Sequence, residues 1–150
     1  MLRNRCRMII IMVLTMLTVS ACSRSGVGRD VELTEPAFKV APAESESAPE
    51  GAVSPPSVRV SPGHFEVLGL LSTPNPCQDI QASLPQVGAA LTVTIQAHAQ
   101  PGVCIQVLGR FAYQVTEDID PDTYTLRLTH TYPDTGWPDE RAFQGSITVP

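Results

Sequence analysis

Several sets of side chains have types and spacings that chemistry could use. Asp118, Asp120 and Asp122 alternate, with Glu117 adjacent. Carboxylates two residues apart offer hard oxygen ligands to Ca²⁺, as at the start of a twelve-residue calcium loop. The match stops early, because Thr123 stands where such a loop needs Gly and Thr129 where it needs a bidentate Glu. The trio is therefore a weak Ca²⁺ candidate, and a solvated acidic turn is the stronger expectation. His64, His98 and His130 are scattered, and nothing in the sequence groups the three ligands that a zinc or copper site needs. Glu66 and Asp79 would form a working carboxylate pair only if the fold brought them within a few ångströms. The chain has no Gly-x-Ser-x-Gly turn to expose a nucleophilic serine. No catalytic residue, metal or cofactor is assigned. The most suggestive surface is Tyr132 to Glu140, which carries Tyr132, Asp134, Trp137 and Asp139. Aromatic loops on a rigid scaffold often bind partners. Alternatively Trp137, bracketed by Pro133 and Pro138, folds back to plug the core, and the sequence favours the plug because so small a domain needs its large side chains inside.

These groups must be carried by elements, and the first element is an address. Arg3, Arg5 and Arg7 precede an apolar run from Met8 to Val19. The run is too short and too interrupted by Thr15 and Thr18 for a membrane-spanning helix, and it fits a signal peptide over residues 1–21. Val19-Ser20-Ala21-Cys22 then resembles the lipobox of bacterial lipoproteins. That resemblance implies a diacylglycerol thioether on Cys22, cleavage between Ala21 and Cys22, and an acylated new amino terminus. It also implies a membrane partner and a location at the cell membrane or, as Ser23 favours, the outer membrane. With Cys6 removed and Cys22 lipidated, Cys77 and Cys104 remain, and an even remainder in an exported domain reads as a disulfide. Such a link adds ~3.5 kcal/mol by the chain-entropy relation.

Composition sets the remaining bounds. The 150 residues, 43% of them hydrophobic and only 17% charged, with a net charge of −5, allow one domain and argue against a nucleic-acid partner. Residues 22–57 hold Pro36, Pro42, Pro49, Pro55 and Pro56 among Glu, Ser and Ala, and are expected to form a disordered tether. Val31 to Leu33 and Phe38 to Val40 are its only spots suited to ordering. Residues 58–150 have strand periodicity. Seven strands are expected: Phe65–Leu71, Ile80–Leu84, Leu91–Ala97, Val103–Leu108, Phe111–Val115, Tyr124–Thr131 and Phe143–Val149. Turn residues such as Pro101-Gly102 and Pro121-Asp122 separate them.

Asp120 stands four residues before Tyr124, which resembles the tyrosine corner of immunoglobulin-like and fibronectin-like domains. The spacing of seven short strands indicates an all-β sandwich over residues 58–150, and the resemblance implies that it is immunoglobulin-like, with about seven antiparallel strands. Leu126 occupies the antibody position of the second cysteine and no Trp lies between Cys77 and Cys104, so the disulfide is not the antibody one. The run from Pro76-Cys77 through Val103-Cys104-Ile105, His130-Thr131-Tyr132 and Gly136-Trp137-Pro138 is also similar to small uncharacterised bacterial lipoproteins. Together these readings predict a lipid-anchored envelope lipoprotein displaying a non-catalytic binding or structural module to a protein or glycan. The alternative is an inhibitor of extracytoplasmic proteases.

Overall fold

A computed structural model describes residues 32–33 and 37–150; the expected signal peptide and Cys22 lie outside the described residues. Its ten strands are β1 (Glu32–Leu33), β2 (Phe38–Pro42), β3 (Ser57–Ser61), β4 (His64–Thr73), β5 (Gln78–Ser83), β6 (Gln86–Val87), β7 (Ala90–Ala99), β8 (Gly109–Asp118), β9 (Asp122–Thr131) and β10 (Glu140–Val149). No helix among the described residues is long and apolar enough to cross a membrane. Alternation explains the strands: Leu91, Val93, Ile95 and Ala97 of β7 are buried, while the Thr and Gln residues between them are half-exposed. Tyr124, Leu126 and Leu128 of β9, and Phe111, Tyr113 and Val115 of β8, do the same on their sheets.

Two sheets result. One has the order β1-β5-β7-β9-β10, with β6 beside β7; the other has the order β2-β8-β4-β3. Their facing sides share one core, in which Phe65, Val67 and Leu71 of β4 meet Leu91, Val93, Leu126 and Leu128 from across the gap. Each such side chain contributes roughly 1.5–3 kcal/mol by leaving water. The expected all-β sandwich is present. Its pairings are antiparallel except for β7 with β9, which run parallel from Ala90↔Thr125 to Gln96↔Thr131. Parallel neighbours need a crossover, and β8 supplies it by carrying the chain to the other sheet and back. In an immunoglobulin domain the first strand to cross sheets lies beside the strand bearing the tyrosine corner. Here the first crossing runs from β1 to β2, which lies in the other sheet from β9, and the next, from β4 to β5, leaves β7 between β5 and β9.

Two expectations need correction. The folded unit does not begin at Val58, because Phe38–Pro42 pairs with β8 from Phe38↔Val115 to Pro42↔Phe111 and Phe38 enters the core. The segment expected to be a tether thus supplies an edge strand, where Pro42 is tolerated because an edge has a free side. Val103–Leu108 is the second: it is a loop outside both sheets, not a strand. Its alternation of Val103, Ile105 and Val107 is genuine, but the segment is the connection between β7 in one sheet and β8 in the other.

Registers fix which connections share an end. The parallel β7–β9 pair places Ala99 and Thr131 at the same end, and Thr73↔Gly109 adds the β4–β5 connection. One end therefore gathers residues 74–77, 100–108 and 132–139, together with the start of the 43–56 connection, where the Ala43 N–H donates to the Arg110 carbonyl at 2.9 Å. The opposite end gathers the turn at Gly63, residues 84–89, and residues 119–121 between Asp118 and Asp122.

Candidate functional site

At the loop end, the Cys77–Cys104 disulfide is formed, with the two Cα atoms 6.0 Å apart. Cys77 is held by its neighbours as well as by this link. Asn75 Oδ1 accepts hydrogen bonds from the Cys77 backbone N–H at 3.0 Å and from Gln78 Nε2 at 2.9 Å, and Thr73 Oγ1 donates to the Asn75 carbonyl at 2.7 Å. An Asn side chain that closes on its own backbone two residues ahead makes a rigid turn. The Gln100 N–H donates to the Cys77 carbonyl at 3.0 Å, which fastens the start of the long loop to the same turn. The base is anchored and the tip is not covered. Val103, Ile105, Val107 and Leu108 are 105%, 66%, 53% and 69% exposed. No charged residue occurs from Gln100 to Gly109.

The neighbouring loop follows β9. Tyr132 is buried, and its N–H donates to Asp139 Oδ1 at 3.3 Å; Thr135 Oγ1 donates to the Tyr132 carbonyl at 3.0 Å, and the Trp137 N–H donates to Thr135 Oγ1 at 3.2 Å. Asp134 and Gly136 adopt left-handed backbone, which Asp and Gly accept more readily than other residues. The Trp137 ring meets Tyr132 edge-on at 5.6 Å and remains 37% exposed. The plug at this end is thus Tyr132, with Trp137 lying over it rather than filling the core. Burial, with Glu140 and Asp139 nearby, pushes the Tyr132 hydroxyl up to about 12.

Just inside this end, Tyr113 of β8 and His130 of β9 join the two sheets, with the Tyr113 hydroxyl 2.9 Å from His130 Nε2. The phenol crosses directly over Gly69, where any Cβ would collide with it. A fully buried hydroxyl hydrogen needs an acceptor, so Tyr113 donates to Nε2 and the neutral imidazole keeps its proton on Nδ1. Burial raises the Tyr113 pKa, with smaller pushes from Glu140 and Tyr132. Burial also lowers that of His130, although Glu140, whose Oε2 lies 3.8 Å from Nδ1, partly opposes it. Pro55, Pro56, Ser72, His130 and Glu140 border a cleft of about 220 Å³ beside this pair.

The remaining candidates do not converge. Asp118 Oδ1 lies 3.1 Å from His64 Nδ1, and Asp122 Oδ1 accepts from the Thr123 N–H at 2.7 Å. The Asp120 carbonyl accepts from the Tyr124 hydroxyl at 2.9 Å, so the expected tyrosine corner is made. No group of three His, Cys, Asp or Glu side chains suited to a metal forms among the described residues, which removes the structural basis for Ca²⁺ at Asp118, Asp120 and Asp122. Glu66 engages Gln114 and Arg59 on the outer face of one sheet, and Asp79 engages Gln81 on the outer face of the other. They cannot act as a pair. His98 stands beside Gln96 on the outward face of β7.

The comparisons add no relative. The chain matches no protein-family profile, no curated protein and no solved structure. The exposed aliphatic loop is the feature that strand reasoning missed. Its signal was present in Pro101-Gly102 and in the cysteine at its centre, both of which favour a pinned loop over a paired strand.

Proposed function

We infer that the protein is an exported lipoprotein, held at the cell membrane or outer membrane through a lipidated Cys22, whose β-sandwich is a non-catalytic binding module. The observation that carries this reading is the Cys77–Cys104 disulfide, since such links persist in oxidising compartments outside the cytosol. It uses both cysteines of the folded unit and leaves the lipobox cysteine for the thioether. The end that bears the disulfide also presents the loops suited to a partner. The acidic groups that a hydrolase would draw on are engaged in local structure, at His64, Thr123, Gln114 and Gln81.

Growth of the producing cell with labelled palmitate tests the anchor. The wild-type chain should incorporate label resistant to neutral hydroxylamine, because the O-esters of the diacylglycerol and the N-terminal amide survive conditions that cleave a thioester, and Cys22→Ser should incorporate none. Equal label in the variant would refute the assignment.

A further inference from the structure

We propose that the Val103–Leu108 loop is a membrane-insertion element, whose occupant is a zwitterionic lipid surface. Its chemistry is the first argument. Val103, Ile105, Val107 and Leu108 all project into water, and the stretch from Gln100 to Gly109 carries no charge that would have to be dehydrated. Protein hot spots favour Trp, Tyr and Arg and are poor in Val and Leu, so a purely aliphatic tip suits acyl chains better than a protein groove. Trp137 lies half-exposed on the adjoining loop, and aromatic side chains of this kind settle at the depth of lipid headgroups.

Charge is the second argument. Glu117, Asp118, Asp120 and Asp122 occupy the opposite end of the sandwich, so seating the aliphatic loop turns these four carboxylates away from the bilayer. Glu44, Asp134 and Asp139 stand near the aliphatic loop, with Arg110 at its base. That end has no excess of positive charge and no reason to prefer anionic lipids.

Reach is the third argument, and it rests on the lipidation proposed above. Glu32 pairs with Ser83, five residues along β5 from the loop end, or about 17 Å. Cys22 lies ten residues before Glu32, a stretch that spans up to about 35 Å. The lipidated cysteine and Ile105 can therefore sit in one bilayer. A lipid anchor with a second weak contact holds better than either alone.

Flotation with phosphatidylcholine vesicles tests this without the anchor. The protein is the unlipidated chain from Ser23 onward, whose core lies wholly within Phe38–Val149. It should float with the vesicles, equally in low and high salt, and without gain when phosphatidylglycerol is added. Ile105→Asp, at a side chain that projects into solvent, should reduce the bound-to-free ratio at least tenfold while leaving the melting temperature unchanged. Failure of the unsubstituted chain to float, or equal flotation of Ile105→Asp, would overturn the proposal, as would recruitment only by anionic vesicles. Because Cys22 is absent here, such failure leaves the palmitate result for the anchor standing.

Discussion

The hydroxyl of Tyr113 and the imidazole of His130 are sealed from water and satisfy each other across the middle of the sandwich. Leaving a buried polar atom unpartnered costs about 1–3 kcal/mol, so this single bond constrains how the two sheets meet. Gly69 makes it possible by leaving the phenol room to pass. A consequence for pH follows. Burial sets the folded imidazole below its unfolded value of about 6.5, so the unfolded chain takes up the proton first as pH falls. Stability is complete above that value and declines as pH drops towards the folded one, by about 1.4 kcal/mol for each unit of depression. His130→Gln should flatten that decline. Urea unfolding at about pH 7.5 and about pH 5 would show a larger loss in the wild type than in the variant, and equal losses would contradict the buried neutral imidazole. Strand parity with the buried Leu128 places His130 on the inward face. Its pairing with Tyr113 was not legible, because which inward positions of two sheets meet depends on how the sheets are stacked.

Among the elements, β2 and the Val103–Leu108 loop exchange the roles that their compositions suggest. Phe38–Pro42 sits in a stretch rich in Pro, Glu and Ser, yet it covers the edge of β8 and buries Phe38. Removing a buried Phe costs about 3–5 kcal/mol, and an uncovered edge invites pairing between molecules. A chain truncated to begin at Val58 should therefore melt well below the full chain and self-associate in size-exclusion chromatography. An unchanged melting point and a monomeric profile would contradict a structural role for β2. Five of the seven expected strands were legible because their apolar face is continuous from end to end, as in Leu91 to Ala97. Ile80–Leu84 was legible with shifted limits, as β5 runs from Gln78 to Ser83. Val103–Leu108 misled because alternation records which residues are apolar and says nothing of whether a neighbouring strand is there to receive them.

At the scale of the whole molecule, the sandwich has two unlike ends. One carries Glu117, Asp118, Asp120 and Asp122; the other carries a disulfide-pinned aliphatic tip and an aromatic loop, with Glu44, Asp134 and Asp139 around them. That polarity has a purpose if the protein works against a bilayer, and the anchor at Cys22 is what would bring it there. The sandwich class could be read from strand spacing, whereas the parallel β7–β9 pair could not, since strand order is decided by contacts distant in sequence. The reading as a lipoprotein stands or falls on the mature amino terminus. Intact-mass measurement of protein extracted from the envelope tests it most directly. The expected mass is that of a chain beginning at Cys22 that carries diacylglycerol and an amide-linked acyl group, with Cys77 and Cys104 oxidised. A chain that begins elsewhere, or one that begins at Cys22 with an unmodified thiol, would contradict it.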